Sequence, residues 1–595
     1  MGADGALSPE AAISDFAHPL PFGAELLDDG ATQFRIWAPS AGQVVLELDG
    51  HKPLPMQTDD GGWHSGTHPA PAGTQYRYRL PDGLLVPDPA SRHQAGDVHD
   101  ASIVVDPRAF QWRNMAWLGR PWHEAVIYEC HAGSMGGFTG IRDRLPELQA
   151  LGITAIEIMP IADFPGGRNW GYDGVLPFAP DTAYGTPDEL KALIDDAHGL
   201  GLMVMLDVVY NHFGPDGAYI HVFAKPFFRE DIHTPWGAAI DFRRPEVCDY
   251  FTQNALYWLH EYRFDGLRFD AVHAISEEGF LRDLADDIRA GVEPGRHVHL
   301  VLEHEGNRAA LLKAGPQAPG FDAQWADDFH HCIHVLLTGE LEGYYQDFEQ
   351  ATALLATCLR DGFAYQGEMS PHLQRLRGEP SGHLPTTCFV ACLQNHDQIG
   401  NRAMGERLTT LADPAKLRAA TALLLLSPFI PMLFMGEEHG ATSPFPFFTS
   451  HNEELAALVR EGRRAEFKHF AAFQDEARRA AIPDPNAPGT FEASIPNRPD
   501  PDMFGFVQAL LTLRRNHVVP GLPGCRSAGV EALQAGALRA AWTLGDGRRL
   551  VLAFNLGDAP AMASLPGGPP LYAFPAGASG PMLPPGSIIA HIEAA

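Results

Sequence analysis

Cysteine is scarce in this chain: seven in 595 residues, an odd number, which excludes a disulfide framework as the source of its stability. Only Cys388 and Cys392, in TCFVACLQ, lie close together. With no second Cys or His pair beside them they fit core packing rather than metal or redox work. Long apolar runs are also missing. The greasiest stretch, ALLLLSPFIPMLFM (Ala422–Met435), is broken by Ser427, Pro428 and Pro431 and falls short of the roughly 20 residues of a spanning helix. It reads as a helix followed by a buried strand. The opening segment MGADGALSPEAAISDF has no apolar centre and no secretory signal. Positive charge is the third shortage: 43 Lys and Arg against 74 Asp and Glu leave a formal net charge of -31. Such a surface repels nucleic acid and anionic membranes and suits a soluble cytoplasmic protein with a neutral substrate.

Apolar residues are plentiful, at 45% of the chain, enough for the two to four cores that this length predicts. Residues 1–106 read as all-β, a small sandwich: TQFRIWAP, GQVVLELDG, TQYRYRL and ASIVVDP alternate in polarity between Gly, Pro and Asp turns. A connector over 107–122 follows. From 123 to 521 short apolar runs alternate with helical patterns such as IRDRLPELQALG and TPDELKALIDDAHGLG. That is the signature of parallel strands with helical crossovers, here a (β/α)8 barrel enlarged by loops. Residues 522–595 return to short strands (ALRAAWTLGDG, RRLVLAFNLG, SIIAHIE), a small C-terminal β domain. The expected class is therefore α/β, a TIM barrel flanked by two β domains.

Four of the expected barrel strands end in polar clusters, at the end where a parallel barrel builds its active site. They are Asp207-Asn211-His212 in LDVVYNH, Arg268-Asp270-His273 in FDGLRFDAVH, Glu303 and Glu305 in LVLEHEGN, and His396-Asp397 in QNHDQIGNR. In FDGLRFDAVH the period of two puts Leu267 and Phe269 on one face and Gly266, Arg268 and Asp270 on the other. Asp265, at the strand's entry, falls outside the site. Alone, Arg268 with Asp270 could be a buried structural ion pair, and His212 and His396 satisfied core residues. Four clusters at corresponding strand ends point instead to glycoside hydrolysis or transfer, which needs an acid for the leaving oxygen and a carboxylate facing the anomeric carbon. Asp270 is the expected nucleophile, kept ionised by Arg268. Glu303, ending the apolar run VHLVLE, is the expected acid and then base, its proton affinity raised by desolvation; Glu305 competes less well because it does not continue the strand. Asp397 would stabilise oxocarbenium charge, His212 and His396 donate to sugar hydroxyls, Tyr172 stack on a pyranose, and His273 contact the leaving-group side. Glu437 and Glu438 in FMGEEHG read as structural. No metal or other cofactor is expected: there is no Ca²⁺ loop of the D-x-[DN]-x-[DN]-G type.

DVVYNH, GLRFDAVH, the Glu of LVLE and QNHD, in that order, resemble the four signature regions of the α-amylase superfamily of retaining α-glucan enzymes. The resemblance implies a (β/α)8 barrel, with the nucleophile on Asp270, the acid/base on Glu303, the transition-state stabiliser on Asp397, and sugar contacts on Tyr172, His212, Arg268 and His396. FRIWAPSA, PDPASR, IYECHAGSMGGFTG, HTPWGAAIDF, MGEEHGATSPFPFFTSH and IPDPNAPGTFE are similar to the malto-oligosyltrehalose trehalohydrolase family within it. That implies malto-oligosyltrehalose and malto-oligosaccharides as partners and trehalose as product. His304 with Glu305, Ser134-Met135 and Arg243-Arg244 depart from that family's usual residues. Two rivals follow: a branching or debranching enzyme of the same superfamily, and a glucan-binding relative without catalysis.

Overall fold

The computed structural model describes residues 16–315, 318–578 and 580–594; the acidic opening stretch read above for a secretory signal lies, but for Phe16, outside them. Two β-sheets come first. One runs in the order Gly23–Leu26, Ala31–Trp37, Trp63–Pro69, Gln57–Thr58, and the other is built on Val45–Leu48 and Gln75–Arg79. The strand Ala31–Trp37 buries Thr32, Phe34 and Ile36 and turns Gln33 and Arg35 outward, the alternation of a strand with one face on a core.

Eight parallel strands then close on themselves: β1 (Ile127–Cys130), β2 (Ala155–Ile158), β3 (Met203–Val208), β4 (Gly266–Phe269), β5 (His299–Leu302), β6 (Ala323–Trp325), β7 (Phe389–Cys392) and β8 (Ile430–Phe434). The helical crossovers carry their sequence signals. Pro187–Gly199 opens on a capping box in which Thr186 and Glu189 satisfy each other's backbone donors. Pro414–Leu426 and β8 divide the greasy run as expected, a helix and then a buried strand. Strand parity separates two cores. Leu267 and Phe269 join the large core shared with the helices, whereas Ile127, Met205, Val301, Trp325, Val390 and Met432 form their own cluster inside the barrel. Cys392 is in that inner cluster and Cys388 in the outer one; all seven cysteines are free thiols.

Seven barrel strands coincide with runs that alternate or stay apolar in the sequence. The eighth, β6, has three residues, too few for any periodicity to register. A five-stranded antiparallel sheet, in the order Arg526–Gln534, Ala537–Thr543, Arg549–Asn555, Ser587–Glu593, Tyr572–Phe574, completes the fold. Among the described residues no helix is long and apolar enough to cross a membrane.

Candidate active site

Arg268 is the centre on which the site is assembled. The register sets it level with Asp207 of β3 and Val301 of β5, and it points inward, 0% exposed. Its Nη1 donates to Asp207 Oδ2 at 2.6 Å and Asp270 Oδ1 at 3.0 Å, and its Nη2 to Glu303 Oε2 at 2.7 Å. The guanidinium lies 4.1 Å from the centre of the Trp325 ring, a cation–π contact. One buried cation thus organises three carboxylates contributed by three adjacent strands.

The chain turns sharply where β4 ends. Ala271 sits in the left-handed region (φ 40°, ψ 45°), a strained conformation for a residue with a side chain. That turn aims its N–H at Glu303 Oε2, 2.9 Å away. Glu303 N–H in turn donates to Phe269 O at 3.0 Å, and Val272 N–H to Glu303 O at 3.1 Å. Asn211 Nδ2 donates to Asp270 Oδ2 and to its backbone oxygen, both at 2.8 Å. Asp270 and Glu303 are therefore fixed relative to one another by backbone as well as by the shared arginine.

Exposure rises toward the mouth: the side chain of Asp270 is 10% exposed, that of Glu303 18% and that of Asp397 36%. Asp207 lies deepest. Burial pushes its carboxyl up to about 7 against the opposing pull of Arg268, and it accepts a hydrogen bond from Tyr172 Oη at 2.6 Å. Asp397 stands in the first turn of the short helix His396–Gly400, whose N-cap Asn395 accepts from Gln398 N–H.

Several expectations are corrected by this geometry. Glu303 is not set in an apolar pocket: it ends an apolar strand, but its carboxylate lies on Arg268 and opens to the cleft. His212 sets Nδ1 against Asn211 Oδ1 and Nε2 2.9 Å from Tyr172 O, and its ring stacks on Trp236. Those contacts tie it to Asn211 and to the Tyr172 loop. Tyr172 has one ring face covered by His396, centroids 5.0 Å apart. His396 commits Nδ1 to Glu129 Oε1 at 2.5 Å. His273 is exposed at the rim and accepts weakly from Glu305 N–H, 3.5 Å away.

Asp265, at the far end of β4, accepts from Trp117 Nε1 at 2.7 Å, Val204 N–H at 2.9 Å and His198 Nε2 at 3.0 Å. Glu305 turns outward to pair with Arg375 at 2.8 Å. Glu437 accepts from Phe434 N–H and Gln394 Nε2, and Glu438 from Tyr128 Oη. Sequence reasoning missed Glu129, Trp325 and the turn at Ala271. Glu129 left a trace, a carboxylate in the apolar run AVIYECH; the other two left none. Among the described residues no group of three or more His, Cys, Asp or Glu side chains is arranged to hold a metal ion.

Comparison with known proteins agrees with the architecture. Residues 21–90 match the carbohydrate-binding module 48 (isoamylase N-terminal domain) family, 107–231 the alpha amylase catalytic domain, and 525–589 a domain of unknown function, DUF3459. A malto-oligosyltrehalose trehalohydrolase of Saccharolobus solfataricus is 39% identical over 526 residues, 86% of this chain and 89% of the relative. The chain belongs to the malto-oligosyltrehalose trehalohydrolase family. The enzyme of that name from Deinococcus radiodurans is 41% identical over 486 residues, covering 80% of this chain and 77% of its own. A crystal structure of a putative alpha amylase from Salmonella typhimurium is 42% identical and superposes with a TM-score of 0.91, covering 97% of this chain and 100% of that one.

Within this trehalohydrolase framework the departures next to Glu303 make contacts within the protein. The imidazole Nδ1 of His304 accepts from Gly306 N–H at 2.9 Å, and its backbone oxygen from Gln324 Nε2 at 3.1 Å. Burial, with His273 adding to it, holds that ring neutral, down at about 3.

Proposed function

We propose that the chain hydrolyses malto-oligosyltrehalose at the α-1,4 bond next to the terminal α,α-1,1-linked pair of glucoses. The products are trehalose and a malto-oligosaccharide shortened accordingly, and the anomeric configuration is retained. The observation that carries this reading is the Arg268 network, which holds two carboxyl groups, Asp270 and Glu303, on one guanidinium inside a trehalohydrolase framework. Retention needs the two carboxyls about 5–5.5 Å apart, a separation that one shared guanidinium favours.

In the first step Asp270 attacks the anomeric carbon and the glycosidic C–O bond breaks, its electron pair going to the leaving oxygen, which takes a proton from Glu303. Two donors already occupy Glu303 Oε2, so Oε1 is the oxygen that carries this proton. In the second step Glu303 removes a proton from water, which attacks the same carbon and releases Asp270. Asp397 stabilises the oxocarbenium-like charge in both steps. Asp207 and Asn211 keep Arg268 and Asp270 in place. The substrate is a neutral glucan, in keeping with the net charge of -31. Seven free thiols suit a reducing, cytoplasmic setting.

Chromatography of the products from malto-oligosyltrehalose and from glycogen tests this. Free trehalose from the first substrate, and no linear chains released from glycogen branch points, is the expected result. Debranching of glycogen without trehalose from the first would overturn it in favour of the debranching rival.

A further inference from the structure

Glu129, on β1, takes part in neither chemical step, yet it is 1% exposed and both of its oxygens are spent on one residue 267 positions away. Oε1 accepts from His396 Nδ1 at 2.5 Å, and Oε2 from the His396 amide at 3.2 Å. The far nitrogen of that ring, Nε2, faces Asp397 Oδ1 at 3.5 Å. The ring is stacked by Tyr172 and met edge-on by Trp170, so it cannot swing to another partner.

A neutral imidazole has a single N–H. Glu129 claims it for Nδ1, which would turn the Nε2 lone pair toward the Asp397 carboxylate. A second proton on the ring removes that repulsion and makes Nε2 a donor. We propose that Glu129 is a positioning residue that holds His396 as an imidazolium, so that Nε2 presents an N–H to the subsite where Asp270 attacks and to Asp397 beside it.

The other charged groups around the ring fit this assignment. Arg268 from β4 opposes a charge on it, whereas His131 beyond β1, kept neutral at about 4 by burial and then by His396 itself, does not. Among the described residues, neither oxygen of Glu157 of β2, which is opposite Glu129 in the ladder, has a hydrogen-bond partner. Burial, then Asp207, pushes its carboxyl far above the usual range, so it is neutral and no counter-ion. Burial acts against a charged His396, but Asp397 and Glu129 outweigh it and hold the imidazole up at about 9.

The inference deepens the proposed reaction and rests on it for the subsite named, but its test does not depend on which glucan is cleaved. The imidazole of His396, assigned by comparison with a His396→Gln variant, is followed by NMR as pH is raised, in the full chain with and without Glu129→Gln. The glutamine must meet a backbone N–H and Nδ1 together. Its oxygen therefore goes to the N–H and its NH₂ to Nδ1, leaving a neutral ring with its proton on Nε2. Donor geometry is kept and only the charge is removed. The expected result is a parent ring still charged at pH 7.5 and a variant midpoint lower by one pH unit or more, about a tenfold change in proton affinity. The alkaline fall of kcat should move down by a similar interval with KM nearly unchanged, and Glu129→Asp should restore part of both. A parent His396 that is neutral at pH 7.5, or equal midpoints in parent and variant, would overturn the proposal; the first observation does not need the Glu129 variant to fold. Absence of trehalose release from the parent, with its His396 charged at pH 7.5 and the variant midpoint lowered, would count against the reaction, not against this assignment.

Discussion

Arg268 bears most of the electrostatic load of the cleft. Its guanidinium fork can serve several carboxylate oxygens at once, which the point charge of a lysine cannot. Asp207 is held up at about 7 chiefly by burial, and the charge of Asp270 adds to it. Removing the Asp270 carboxylate therefore relieves a repulsion while it deletes the proposed nucleophile. Asp270→Ala should lower kcat by about 10⁴-fold or more, as loss of a nucleophile does elsewhere, with glucan binding retained and a melting temperature no lower than the parent's. Turnover assays, a binding titration and a thermal melt check the three parts; undiminished activity would refute the mechanism.

Among the elements, β4 and β5 are set by one glycine. A Cβ on Gly266 would stand 2.6 Å from His299 O and 3.1 Å from Met205 Cε. The contact with backbone cannot be relieved by a rotamer change. Gly266→Ala should force β4 away from β5 at a cost of about 1–3 kcal/mol. Because Arg268 lies two residues beyond Gly266 and Glu303 one residue beyond β5, the separation should also lengthen the Arg268–Glu303 contact. A lower melting temperature together with a reduced kcat is the expected pair of results. A fall in stability with full kcat would show that the strand ends move independently of one another.

At the scale of the whole molecule the junction of sandwich and barrel contains buried acid. Asp97, on the sandwich side, accepts from Gly166 N–H at 3.0 Å, and Asp181 from Phe164 N–H at 3.0 Å and Ala183 N–H at 2.7 Å. Asp163 is 1% exposed. Burial, with Asp181 and Asp97 adding, drives the Asp163 carboxyl far above its usual range; burial holds Asp181 up at about 7. An acid whose folded pKa is raised binds more protons folded than unfolded, starting near its ordinary value of about 4. Its contribution to stability is complete below that value and is lost as pH climbs toward the folded pKa. Asp163→Asn abolishes the titration. The difference in melting temperature, variant minus parent, should therefore be smallest at pH 5 and grow by about 2 °C or more by pH 8. Thermal melts at those two pH values decide it, and a difference that does not change with pH would count against a neutral Asp163.

The local periodicity of the chain determined a good deal without any tertiary information. Period two along FDGLRFDAVH placed Arg268 and Asp270 inside and Leu267 and Phe269 outside. The four polar strand ends marked the mouth of the barrel, and both β domains were legible from their alternating strands. Tertiary structure decided what periodicity cannot carry. A strand of three residues, β6, has no period, yet it brings Trp325 beneath Arg268. The surroundings of Glu303 and His212 were misjudged because desolvation and partner choice are set by groups distant in sequence. Closure of the barrel brings Glu129 onto His396, 267 residues on. Whether an imidazole or a carboxyl is charged there depends on the summed burial and field of every element around it, and no single segment contains that sum.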